Sequence, residues 1–304
     1  MVKNNKPDTE RADSRYRGMD VWPSERVLKS ILAAQERSVD CLRAAAPMMV
    51  AACNDAAARL GSSNNKGRIV YIGAGTPARI GVQDGTELTP TFGWSRLRVA
   101  FVIAGGRKAL TRAVEGAEDD VEDARRQIEK LKLTKHDICF AISASGKTPF
   151  TVEACKAAKK AGALTISIAS NKDTPLLKAA DYGILTETGP EPVAGSTRMG
   201  AGTAQTVALK AMSTLIMVRD GHVYDGYMVD VIPTNAKLER RIVDMVVDLT
   251  GCDKAEATRA LKNADGQVKL ATLIVMGNLD ADEGRRLLKD SQNNLRTALA
   301  SLNP

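Results

Sequence analysis

Two acidic segments and three loops of small residues are the parts of this 304-residue sequence that could do chemistry. Asp84-Gly-Thr-Glu87 and Glu115-Gly-Ala-Glu118 supply carboxylates from separate segments. Two carboxylates in different surroundings can divide the work of general acid and general base. The same acids also suit helix starts, where negative charge meets the positive end of the helix dipole, and Asp119 and Asp120 fit that role. Gly73-Ala-Gly75-Thr76-Pro77 follows an apolar run, where glycines let backbone N–H groups approach an anion. Its spacing is not that of a dinucleotide-binding turn, and a tight strand-to-helix connection explains it equally well. Ser143-Ala-Ser145-Gly146-Lys147-Thr148 brings three hydroxyls and free amides to one loop before a helix. That suits the three oxygens of a phosphate monoester, and a single helix cap would not need three hydroxyls. In Gly195-Ser196-Thr197-Arg198, Ser196 or Thr197 either binds a ligand or caps the long helix that follows.

These segments need a scaffold that gathers them, and the apolar pattern describes one. Short strands are predicted over residues 68–72, 97–104, 137–142, 165–169 and 182–185, with helices between them. Alternating strands and helices imply a parallel sheet covered on both faces. In such sheets ligands bind beyond the carboxyl ends of the strands, where the Gly- and Ser-rich loops fall. On this reading the two acidic segments are loops above the sheet. Before the sheet, residues 1–22 read as irregular and exposed. An amphipathic helix starts near Pro23-Ser24, Pro47 interrupts it, a second Ala-rich helix ends near Leu60, and 61–67 is a turn. Gly221 ends the long helix, and from about Thr250 the chain reads as short helices over 253–263, 267–276 and 281–288. The domain boundaries expected are 1–58 for an N-terminal arm and helices, 59–222 for the α/β domain and 223–304 for a linker and helical region.

Composition narrows the partners. The net charge of +7 suits an anionic substrate. The basic residues are scattered and no aromatic-basic module occurs, so nucleic acid is not expected. Five cysteines without a Cys-x-x-Cys pair read as reduced core residues. With His136 and His222 as the two histidines, a His-rich metal site is excluded. The first twenty residues lack the apolar stretch of a signal peptide, and no apolar run is long enough to span a membrane. A cytoplasmic location is therefore expected.

Taken in order, the segments beginning at Gly73, Asp84, Pro90, Ala104, Ala113, Ala144, Gly189, Gly195 and Ala201 resemble the N-acetylmuramic acid 6-phosphate etherases, which are sugar isomerase (SIS) domain proteins. Thr9-Glu10, Met228-Val-Asp-Val231, Thr234-Asn235, Lys237-Leu238 and Thr250-Gly251-Cys252 extend the resemblance over nearly the whole chain. It implies a three-layer α/β fold with a five-stranded parallel sheet, a homodimer, and a C-terminal unit similar to ubiquitin-associated helical domains. It implies cleavage of the lactyl ether of N-acetylmuramic acid 6-phosphate to N-acetylglucosamine 6-phosphate and D-lactate, in cell-wall sugar recycling. No metal or organic cofactor is implied. Glu87 matches the family's proton donor, and Glu118 its second carboxylate, to which proton abstraction falls. Burial of both is expected, because a raised pKa is what lets carboxyl groups act as acid and base near neutral pH. Gly75, Thr76, Ser143, Ser145, Gly146 and Thr148 would hold the sugar phosphate, with Ser196 and Thr197 as further contacts.

Three departures bear on substrate choice. The family's Gly-Ala-Gly-Thr-Ser-Gly-Arg is here Gly73-Ala-Gly-Thr-Pro77-Ala78-Arg79, and proline has neither N–H nor hydroxyl. Glu-Cys-Pro-Pro becomes Glu87-Leu88-Thr89-Pro90, and the lysine of Arg-Met-Lys-Ala-Gly becomes Gly200. Two alternatives therefore stand beside the etherase: an SIS enzyme acting on a related sugar phosphate, and a non-catalytic sugar-phosphate sensor. The retained acidic pair speaks against the sensor.

Overall fold

Runs of apolar residues closed by glycine or serine form the central strands β1 (Ile69–Gly73), β2 (Val99–Ile103), β3 (Ile138–Ile142), β4 (Leu164–Ala169) and β5 (Tyr182–Leu185). The computed structural model describes residues 7–61, 67–233 and 235–302. All five strands are parallel, in the order β2-β1-β3-β4-β5. This is the five-stranded parallel sheet expected. The chain lays β2 on one side of β1 and β3 on the other, so the loops after β1 and β3 diverge and leave a crevice at their carboxyl ends.

The helices are α1 (Ser24–Asp40), α2 (Leu42–Gly61), α3 (Gly75–Phe92), α4 (Val121–Leu131), α5 (Pro149–Lys160), α6 (Pro175–Ala179) and α7 (Gly200–Arg219). Val70, Ile72, Val102, Cys139 and Ala141 pack against α4, α5 and α6 through Ala124, Ile128, Phe150, Ala154 and Leu176. On the opposite face Tyr71 stacks between Phe101 and Phe140, with ring centroids 5.9 and 5.6 Å away. Gly85 lets α3 sit directly on this aromatic layer, since a Cβ there would lie 2.7 Å from Tyr71 and 2.8 Å from Phe101. Pro47 does not divide the first two helices: it lies inside α2, and the break falls at Cys41. The expected turn over 61–67 falls largely on 62–66, outside the described residues. Residues 7–22 are irregular as expected, in short 3-10 turns, but Thr9 among them is fully buried; residues 1–6 of the expected stretch lie outside the described residues.

Two compact units result: Met1–Gly85 with Leu97–Ser213, and Thr86–Arg96 with Thr214–Pro304. The second has its own core around Val246, Leu261, Leu270 and Leu273. It contains the hairpin strands β6 (Val223–Tyr224) and β7 (Tyr227–Met228) and the helices α8 (Ala236–Thr250), α9 (Lys254–Asn263), α10 (Val268–Gly277), α11 (Ala281–Asp290) and α12 (Leu295–Ala300). Among the described residues, no helix is long and apolar enough to cross a membrane. All five cysteines are free, and Cys53, Cys139 and Cys155 are buried.

One polar link inside the first unit fixes the strand starts. Asp137 is 1% exposed and accepts from Arg68 through its backbone N–H, Nε and Nη2, each at 2.9 Å, and from the Thr134 N–H at 2.7 Å. Burial alone would push this carboxyl up, but Arg68 and the two backbone N–H groups overturn that and hold it below the ordinary carboxylate range. Asp137→Ala strands the Arg68 charge and is expected to cost about 3–5 kcal/mol, read as a lower urea midpoint at pH 7. A carboxyl with a lowered folded pKa stabilises above its unfolded value and loses that contribution as pH falls through the folded value. The gap between wild type and variant therefore narrows in acid; a gap independent of pH would refute the assignment.

Candidate active site

A cavity of about 510 Å³ opens at the divergence of the loops after β1 and β3. Its wall takes Gly75, Thr76 and Pro77 from the turn after β1, Ala104 from the end of β2, and Ser143, Ser145 and Thr148 from the loop after β3. Gly75 adopts φ +57°, a left-handed conformation that glycine takes without the steric cost other residues meet there.

The hydroxyls of this loop bond to one another rather than cap α5. Thr148 stands at the N-cap position of α5, but its side chain makes no cap bond. Its Oγ1 lies 2.9 Å from Ser143 Oγ, which is itself 3.3 Å from Ser145 Oγ. The Gly146 N–H donates to Ser143 Oγ at 3.1 Å and the Lys147 N–H to Ser145 Oγ at 3.2 Å. Three hydroxyls thus converge at a helix N-terminus, where backbone donors and the helix dipole favour negative charge. Pro149, the first residue of α5, lacks only an N–H that would have no helical partner. Gly146 does not line the cavity; with φ +67° and Thr174 Oγ1 only 2.4 Å from where a Cβ would sit, it shapes the loop from behind.

Glu118 lines the same cavity, its Oε1 3.6 Å from where a Cβ on Gly75 would stand. Glu87 does not. It lies on α3, about three turns beyond Gly75, at an exposed position in the second unit. The acidic segment at 84–87 is therefore helical rather than a loop above the sheet. Asp84 points into the core of the first unit, accepting from Tyr71 Oη at 2.7 Å and Ser213 Oγ at 3.1 Å. Burial pushes its carboxyl up against those two bonds. The burial expected of the two glutamates is not a property of the single chain, since both are exposed.

Thr197 lines the cavity and Ser196 does not. The α7 start is held instead by Glu191, a buried carboxylate that accepts from the Gly200 and Ala201 N–H groups at 2.8 and 2.9 Å. Three further charged residues of the wall were not among the site residues expected from the sequence: Glu10, Arg79 and Arg112. Arg79 donates to the Ala109 and Leu110 carbonyls, both at 3.0 Å, and so fixes the segment leading to Arg112. Among the described residues no cluster of His, Cys, Asp and Glu could hold a metal ion.

Residues 51–159 match the glucokinase regulatory protein N-terminal SIS domain, and 118–220 match the SIS domain. An N-acetylmuramic acid 6-phosphate etherase of Deinococcus radiodurans is 41% identical over 96% of this chain and 94% of its own length. Enzymes of the same name from Geobacillus thermodenitrificans and Streptomyces coelicolor are 38% and 42% identical, over 96% and 84% of this chain and 98% and 81% of their own. The chain belongs to the N-acetylmuramic acid 6-phosphate etherase family.

Two departures from the etherase pattern now have a physical basis. Gly200 is buried away from the cavity, and a Cβ there would lie 2.7 Å from Ser38 Oγ and 3.0 Å from Glu191 Oε2. Packing of α1 against the α7 start therefore accounts for the missing lysine. Pro77 does line the cavity, in the first turn of α3, where the absent N–H breaks no helix bond but removes one donor from the etherase turn.

Proposed function

We infer that this cavity binds N-acetylmuramic acid 6-phosphate and cleaves its D-lactyl ether, giving N-acetylglucosamine 6-phosphate and D-lactate. The observation that carries this reading is the joint placement of the Ser143, Ser145 and Thr148 hydroxyls and the Glu118 carboxylate on one wall system. The hydroxyls and the α5 amides take the phosphate. Ring opening exposes an aldehyde at carbon 1, which acidifies the proton on carbon 2. A carboxylate removes that proton, the bond from carbon 3 to the lactyl oxygen breaks, and a carboxylic acid protonates the departing oxygen. Water then adds across the double bond, hydroxyl to carbon 3 and hydrogen to carbon 2, so one water is consumed per ether cleaved.

Glu118 serves as one of the two carboxyl groups. Glu87 serves as the other, supplied by a second copy of the chain in a homodimer. Its exposed position on α3 leaves it available to a neighbour. A run of exposed apolar side chains on the first two helices, Leu28, Leu32, Val39, Met48 and Val50, is the kind of surface that association covers.

The test is direct. Purified protein given N-acetylmuramic acid 6-phosphate is expected to release one D-lactate per sugar phosphate, followed by an enzymatic lactate assay. Folded protein that releases none would sink the reading. Gly200 gives no support to a shifted substrate, because it packs against Ser38 and Glu191 and does not line the cavity.

A further inference from the structure

Glu10 lines the same cavity as Glu118, and a mechanism built on Glu87 and Glu118 leaves it without a task. Its position is imposed by the residue before it. Thr9 is fully buried; its N–H donates to Asn171 Oδ1 at 3.4 Å, its hydroxyl accepts from Asn171 Nδ2 at 3.0 Å, and its carbonyl accepts from the Gly195 N–H at 3.1 Å. Asn171 Nδ2 also donates to the Ala144 carbonyl at 3.1 Å, between Ser143 and Ser145. The Glu10 N–H closes the 3-10 turn on the Pro7 carbonyl at 2.9 Å. Thr9 and Glu10 are thus tied to two loops of the cavity wall, and none of these bonds uses the Glu10 carboxylate. The ion pair of the turn joins Arg11 to Asp8 and also leaves it out. These bonds hold Thr9 and the Glu10 backbone in place, and Glu10 lines the cavity there. Among the described residues of the wall, the carboxylates are Glu10 and Glu118.

The elimination contains one more proton transfer than Glu87 and Glu118 account for. Before carbon 2 can be deprotonated the sugar ring must open. The hydroxyl on carbon 1 gives up its proton, the bond from carbon 1 to the ring oxygen breaks, and that oxygen gains a proton. One carboxylate can do both, taking the first proton and returning it to the ring oxygen, with no other reactant. We propose that Glu10 is a third catalytic carboxylate of this site and performs this ring opening. The proposal rests on the etherase reading but is tested apart from it.

The experiment uses full-length wild type, Glu10→Gln, Glu10→Asp and Glu118→Gln with saturating N-acetylglucosamine 6-phosphate. Interconversion of its α and β anomers is followed by NMR magnetisation transfer. Wild type and Glu118→Gln are expected to accelerate the exchange, Glu10→Gln to lose it by about tenfold or more, and Glu10→Asp to recover part of it. The melting temperature of Glu10→Gln is expected to match wild type, because among the described residues no bond of the arm involves its carboxylate, whereas Thr9→Val lowers it. Anomer exchange retained by Glu10→Gln overturns the proposal whatever happens to lactate release. If wild type releases no lactate from the muramic substrate, the etherase reading fails, while the anomer exchange still decides the role of Glu10.

Discussion

Replacing Glu118 by Gln is expected to lower D-lactate release by about 10²–10⁴-fold, the usual worth of a positioned general acid or base, without loss of fold. The structure separates the two consequences. The Glu118 main-chain carbonyl accepts the Phe150 N–H at 2.9 Å and so helps to seat the start of α5. Its side chain is exposed and meets the Gly75 turn, not the core. Gln preserves the shape and the main-chain bond while removing the group that can carry a proton. The urea midpoint should therefore match wild type. In deuterated water, wild type is expected to exchange the carbon 2 proton of N-acetylglucosamine 6-phosphate, and Glu118→Gln to lose that exchange if it is the base. Exchange that persists in a variant unable to release lactate would move Glu118 to the acid role at carbon 3. Lactate release within a few-fold of wild type would remove it from the reaction.

How far the chain could be read without coordinates depended on how local the deciding interactions are. β1, β3 and β4 are buried along their whole length; β1 and β3 read as unbroken apolar runs closed by Gly73 and Ser143, and β4, closed by Ser170, departs from that only at Thr165 and Ser167. The hydroxyl loop was equally legible, since its three side chains lie within six residues and bond to one another. Helix α8 was missed although Asn235 caps its start and Gly251, at φ +74°, closes its end. Those residues lie in the segments that carry the family resemblance, and they punctuate this helix as well. Pro47 misled in the other direction, because packing of Ala45, Met49, Ala52 and Cys53 carries α2 through a residue that breaks isolated helices.

The site residues that went unread are those fixed over long distances in sequence. Thr9 looked like part of an exposed arm because its partner, Asn171, is 162 positions away. Glu191 caps a helix from nine residues upstream of Gly200, outside any capping spacing. The 84–87 segment shows the limit of motif reading most plainly. One helical stretch holds a carboxylate turned into the core at Asp84 and another left on the surface at Glu87. A separation of three residues places both on neighbouring positions of a helix, and the difference in depth comes from Tyr71 and Ser213 reaching Asp84 alone.

Glu87→Gln alone is expected to fall as far as Glu118→Gln, yet a mixture of the two inactive proteins is expected to recover roughly a quarter of wild-type activity, if two-fold assembly pairs Glu118 of one copy with Glu87 of the other. The fraction follows from counting. Random exchange makes half of the dimers mixed. In each mixed dimer one cavity joins an intact Glu118 to an intact Glu87, while its mate carries both substitutions. Half of the cavities in half of the dimers are whole. Neither substitution touches the fold: Glu87 lies on the exposed side of α3, whose buried side is held by neighbours such as Leu88, and Glu118 meets the cavity. The measurement is lactate release after the two proteins are unfolded together, refolded and checked for mixed dimers by mass. Recovery near a quarter fixes Glu87 as the partner's contribution. A mixture that stays inactive, with mixed dimers present, would mean that no cavity gains from a neighbour's Glu87, and the carboxylate opposite Glu118 would have to come from within the chain, where Glu10 already lines the wall.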